Sequence, residues 1–222
     1  MRRALLAMLV AVAACGGRPS QPAPPAQDAT ADGAVAPRPR LRGTLLVRGD
    51  STLVFIACGT VTERALTAPP SAQLDAAVTA VNGELRDSVW VEFVADTARG
   101  AITARETLFA ASLREGSRCD EPVPSFEIVA SGNEPFWRVT FDGTQLVLER
   151  PEPPREIVFD VDTSASRGAL TTIIGRRALG KVHELKLGLL HEDCRDGMSD
   201  AWYPYRAEVH MGDLALHGCA RR

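Results

Sequence analysis

After Leu41 the chain breaks into short apolar runs of strand length, with a helical period in one place. Residues 41–48 read as a strand ending at the turn pair Gly49-Asp50. Residues 53–58 read as a buried strand, and 61–66 as a third beyond Gly59-Thr60. Past Pro69-Pro70, the residues Leu74, Ala77, Val78 and Val81 recur at i, i+3, i+4 and i+7. This predicts a helix capped by Ser71 and stopped at Gly83. Strands at 88–95 and 101–112 complete the order β-β-β-α-β-β, that of a small OB-like barrel. Phe55, Trp90, Phe93 and Phe109 are expected in its core and form no stacking platform for single-stranded nucleic acid.

Beyond a break at Glu121-Pro122-Val123-Pro124 the pattern contains strands only. They fall at 126–130, 136–141, 145–150, 157–161, 169–174, 183–190, 205–210 and 214–217, separated by Gly132-Asn133, Asp142-Gly143, Asp196-Gly197 and Gly212-Asp213 among other turn signals. Alternation is clearest from His183 to Leu189, which puts Leu185, Leu187 and Leu189 on one face and Glu184 and Lys186 on the other. The expected fold is therefore mainly β. An OB-like β-barrel with one helix (41–120) precedes an antiparallel β-barrel or sandwich domain of about eight strands (121–222).

The first forty residues change the picture from a free domain to a tethered one. Met1-Arg2-Arg3 and the apolar run from Ala4 to Ala14 form a secretory signal, too short for the roughly 20 residues of a membrane span. Val12-Ala13-Ala14-Cys15 resembles the lipobox of bacterial lipoproteins, which implies cleavage after residue 14 and lipidation of Cys15. Gly16 after that cysteine, by resemblance to enterobacterial sorting, implies the periplasmic face of the outer membrane. Residues 16–40 carry six prolines and hardly any large apolar side chain, and read as a tether. As a coil it would span about 25–30 Å. Loss of Arg2 and Arg3 moves the formal charge from −3 to −5, which argues against a nucleic-acid partner found by bulk electrostatics.

Setting Cys15 aside leaves Cys58, Cys119, Cys194 and Cys219, an even number suited to an oxidising compartment. Four cysteines allow three pairings. The expected one is local, Cys58 with Cys119 and Cys194 with Cys219, which closes loops worth about 4 and 3.5 kcal/mol of chain entropy. The rival is a metal site built from His191, Cys194, His217 and Cys219, whose spacing lacks the tight knuckle of structural zinc sites.

Three segments stand out in density: Gly132-Asn133-Glu134-Pro135-Phe136-Trp137, Cys194-Arg195-Asp196-Gly197-Met198-Ser199-Asp200 with Tyr203-Pro204-Tyr205, and Gly218-Cys219. Only 5% of the residues are aromatic, yet Trp202, Tyr203 and Tyr205 fall within four positions. Together the segments resemble a family of bacterial envelope proteins of unknown function, usually described as predicted membrane proteins or lipoproteins. The resemblance covers about the last 95 residues and implies an extracytoplasmic, non-enzymatic domain with a bridged C-terminal cysteine pair. A looser likeness to META-type lipoprotein domains rests on the strand leading to Gly-Cys.

Read chemically, Glu134, Trp137, Asp196, Asp200, Trp202, Tyr203 and Tyr205 could line one ligand site, with aromatics stacking on sugar faces and carboxylates accepting hydroxyl hydrogen bonds. Ordinary structural roles account for the same residues: Phe136 and Trp137 alternating between surface and core, Asp196-Gly197 in a turn, Ser199 or Asp200 capping the return. Glu192, Asp193, Asp196 and Asp200 lack the spacing of a regular calcium loop and read as a solvated acidic turn. Neither a nucleotide loop, a zinc-protease motif nor a Gly-x-Ser-x-Gly elbow occurs. These observations favour a lipid-anchored binding or envelope-assembly module without cofactor or metal. Its partners would be the membrane through Cys15 and an envelope protein or glycan. A small-ligand or lysozyme-inhibitor-like binder is the first alternative and a hydrolase the second.

Overall fold

A computed structural model describes residues 38–49, 52–82, 88–113, 118–121, 125–179, 181–197 and 200–222, which form thirteen strands and one α-helix. The leader, Cys15, nearly all of the tether, Gly83, residues 122–124 and Ser199 lie outside the described residues.

The first five strands are β1 (Arg40–Val47), β2 (Leu53–Ala57), β3 (Glu63–Thr67), β4 (Val89–Ala98) and β5 (Ala101–Ser112), with α1 (Leu74–Asn82) between β3 and β4. Antiparallel ladders join β1 to β2 and β4, β2 to β3 and β4 to β5. A short parallel ladder, Leu66 to Ile102 and Thr67 to Thr103, joins β3 to β5 and closes the ring. This is the connectivity expected of an OB-like barrel. Its core packs Leu45, Phe55, Val91, Phe93 and Ile102 against Leu74, Ala77 and Val78 of α1. The Phe55 and Phe93 rings meet edge to face at 4.9 Å. Phe55, Trp90, Phe93 and Phe109 are all buried, as expected. The helix start differs from expectation. Ser71 lies in a 3-10 turn (Pro70–Ala72), and Gln73, at φ 56°, redirects the chain so that α1 begins at Leu74.

The remaining strands are β6 (Ile128–Asn133), β7 (Phe136–Phe141), β8 (Gln145–Glu149), β9 (Glu156–Arg167), β10 (Leu170–Leu179), β11 (Lys181–Asp196), β12 (Ala201–Met211) and β13 (Leu214–Arg221). Each pairs antiparallel with the next, and β13 pairs with β6, so the eight strands close into a barrel. Trp137, Leu146, Leu148, Phe159, Leu185, Leu187, Leu189 and Val209 fill its interior. At about 1.5–3 kcal/mol for each large side chain removed from water, this packing is the main force holding the barrel closed. Strands β9 to β12 run longer than the apolar runs suggested, because their ends carry polar residues that continue the ladder past the core.

The barrels meet along β12. Trp202 pairs with Ala110 of β5 and inserts its side chain into the first barrel's core. Beside it Val89, Trp90, Val91, Glu92 and Phe93 are buried in sequence, because both faces of β4 are covered. Glu92, fully buried, accepts from Arg40 Nε at 2.5 Å and from Arg221 Nη1 of β13 at 3.0 Å, with Arg42 Nε at 3.9 Å. Burial pulls the Arg221 pKa down, and Glu92 opposes that pull. Arg42 lies over the Trp90 ring and donates to the carbonyls of Arg118 and Glu121. The described residues form one compact unit.

Both disulfides have the local pairing, Cys58–Cys119 and Cys194–Cys219. They remove the thiols on which the alternative metal site depended. Two bridges are consistent with an extracytoplasmic location. Among the described residues no helix is long and apolar enough to cross a membrane.

Candidate functional site

The dense sequence segments converge on one slot in the wall of the second barrel. The β6–β13 ladder runs through Arg221, Ala220 and Cys219, the last opposite Ser131, and goes no further. Beyond that rung the indole of Trp137 donates from Nε1 to the His217 carbonyl at 3.2 Å, in place of a backbone donor. Room for the ring comes from two glycines. A Cβ on Gly132 would fall on the His217 carbonyl oxygen and the indole nitrogen. A Cβ on Gly218 would fall on the Ser131 carbonyl oxygen and lie 2.9 Å from the ring. Gly-Asn-Glu-Pro-Phe-Trp and Gly-Cys are thus two halves of one packing solution around a fully buried Trp137.

Over this floor lies an open cavity of about 360 Å³. Asn133 and Glu134 of the β6–β7 turn form one wall, Arg195 and Asp196 at the end of β11 the other, with His217 beside them. The two turns are pinned together because the Asn133 amide donates to the Asp196 carboxylate. Disulfide Cys194–Cys219 fastens the same corner, its α-carbons 5.6 Å apart. His217 Nδ1 lies 3.7 Å from Glu208 Oε1, too far for a hydrogen bond. Arg195, Glu134 and His217 are exposed and Asp196 is half-buried.

The seven residues expected at the site are thus divided. Glu134 and Asp196 line the slot, and Trp137 packs against its lining residues Gly132, His217 and Gly218 without lining it. Trp202 lies in the first barrel's core. Tyr203, half-buried, packs edge to face on Phe109 at 5.0 Å. Tyr205 is buried in the second barrel with its hydroxyl 3.5 Å from Glu106, and burial raises its pKa. Asp200 is exposed in the β11–β12 turn at φ 36°. The sugar-stacking rings therefore present no face to the slot. Phe136, 56% exposed at the start of β7, lines a separate cavity with Pro135, Trp137 and Arg150. Ser131, Arg195 and His217 also line the slot; the sequence pointed to His217 only as a metal ligand and to Ser131 and Arg195 not at all as site residues. Arg195 lies inside the densest motif and His217 immediately before Gly218, so motif adjacency was the signal available. Among the described residues no cluster of His, Cys, Asp or Glu is arranged to hold a metal ion.

No family model matches this chain, and neither a curated protein nor a solved structure was found to match it.

Proposed function

We propose that the protein is a lipid-anchored binding module of the bacterial envelope. Cys15 holds it at the periplasmic face of the outer membrane, and the Trp137 slot takes a small polar ligand of the class of envelope glycan fragments. The observation that carries the reading is the convergence of three distant motifs on one polar cavity, with two carboxylates, a guanidinium and an imidazole around it. Carboxylates accept from hydroxyls and ammonium groups, while a guanidinium donates in a fork to carboxylate, so this set suits a polyhydroxylated or zwitterionic fragment. The resemblance of the same motifs to envelope lipoproteins supports the location. Binding is favoured over hydrolysis because Ser131 and His217, though both in the lining, share no hydrogen bond among the described residues.

Two measurements test this. Cys15→Ser is expected to move the protein from the membrane pellet to the soluble fraction, and mass spectrometry of the wild type is expected to find an acylated Cys15 as first residue. An unmodified N-terminus elsewhere removes the anchor. Titration with soluble disaccharide-peptide fragments of peptidoglycan is expected to shift NMR signals at 131–134, 195–197 and 217–219. Arg195→Ala should weaken that binding about tenfold, the loss of one charged hydrogen bond, with an unchanged melting temperature. Shifts elsewhere, or none, reject the slot as this site. Turnover of the fragment would replace binding with hydrolysis.

A further inference from the structure

A second unusual surface lies on the opposite hairpin of the second barrel. Strand β9 pairs with β8 only as far as Asp160 opposite Gln145, and the last bond on that side runs from the Val161 amide to the Thr144 carbonyl at 2.9 Å. Past Asp162, a bulge residue without a partner on β10, the strand continues from Thr163 to Arg167 as an overhang paired on one side with β10, out to the turn at Gly168. Among the described residues nothing pairs with its other side. Asp162 and all five overhang residues are exposed.

An open strand edge is normally guarded by lysine, proline, a covering segment or very short length. This edge has none of those in its middle. Its central side chains are Thr163, Ser164, Ala165 and Ser166, small enough for a second backbone to approach at strand spacing, and the charges Asp162 and Arg167 stand at its two ends. Asp162 is drawn to Arg176 of β10 at 3.1 Å, away from the free edge.

We propose that this edge pairs with the same edge of a second copy of the chain, antiparallel, on a twofold axis at Ala165. The length of the edge fixes the register. Its regular part runs from Thr163 to Arg167, so its midpoint is Ala165. A twofold there sets Ser164 opposite Ser166 of the partner copy, and Ser166 opposite Ser164. Cross-strand hydroxyl pairs of this kind stabilise sheets. Asp162 then faces a glycine, and each hairpin tip stops where the other copy's β8 ladder begins. Because both strands present alternate backbone groups, a symmetric antiparallel pair must be centred on a residue or its own image, and Ala165 satisfies this. Such a contact is isologous and closes at two copies. It is short beside the roughly 1,200 Å² of a stable interface, so the pairing is concentration-dependent.

In this register the two Ala165 α-carbons lie about 4.5–5.5 Å apart, within the reach of a disulfide. The two Ser164 α-carbons, offset along the strands by two residues, lie beyond it. The full chain carrying Ala165→Cys, under mild oxidation, is therefore expected to give a 165–165 bridged dimer at least about ten times faster than Ser164→Cys or Val61→Cys. Val61, 94% exposed on the other barrel, reports random collision. Nonreducing peptide mapping identifies the bridge, and matched melting curves confirm folding. Equal rates at the three positions, or fastest bridging at 164, overturn the proposal. A fast Ala165→Cys dimer that sediments as a trimer or larger overturns the closed twofold.

Discussion

Glu92→Gln is expected to cost about 3–5 kcal/mol of unfolding free energy, the usual loss when one member of a buried ion pair is removed. The carboxylate is fully buried and accepts from Arg40 and Arg221, which arrive from β1 and β13. Without its charge, partly covered guanidiniums at the joint between the barrels are left with no counter-ion. Urea unfolding is the direct measure, and a loss below about 1 kcal/mol would show that water neutralises the joint as well as Glu92 does. Replacing Glu92 and Arg221 together by methionine should recover part of the loss, because well-packed apolar groups are often as stable as a buried pair.

Gly218→Ala should be the most damaging single methyl group, with a cost of about 3 kcal/mol, the upper end for overpacking. Its added carbon meets a carbonyl oxygen on one side and the Trp137 ring on the other, and neither can retreat. Gly188→Ala is the matched control in the same barrel. There the nearest atom to a new Cβ is the Glu208 carbonyl oxygen at 3.8 Å, so the change should be neutral or slightly stabilising. Chemical denaturation of the two variants side by side distinguishes them, and equal stabilities would refute the wedge described for the slot.

Local patterns predicted local structure well. The alternation from His183 to Leu189 specified the buried face of β11, and the element order of the first half pointed to its barrel. Contacts between distant residues left no such trace. Glu92, flanked by valine and phenylalanine, has the period of a solvent-facing strand position, and only the second barrel's arrival covers it. Trp202 stood in an aromatic cluster that looked like a site. Its direction is set by the β12–β5 rung, a pairing made by residues ninety-two apart in sequence. Ser71 had the chemistry of a helix cap, but the two prolines before it favoured a 3-10 turn, and Gln73 took the left-handed position. The slot was half legible: its glycines, Glu134 and Asp196 were marked by motif density. Arg195, inside the same motif, and His217, beside Gly218, were not singled out as its lining, because which outward side chains converge depends on where the β6–β13 ladder stops.

Closure of the second barrel waits for β13. β13 supplies the rungs that close the second barrel, Cys219 for a disulfide, the carbonyl that receives the Trp137 indole and the arginine that meets Glu92 in the first barrel. The second barrel cannot close until residues 214–221 are in place, and until then Glu92 of the first barrel lacks its ion pair with Arg221. Until then the strands from β6 to β12 stand with an open seam, in need of a holding factor or of speed.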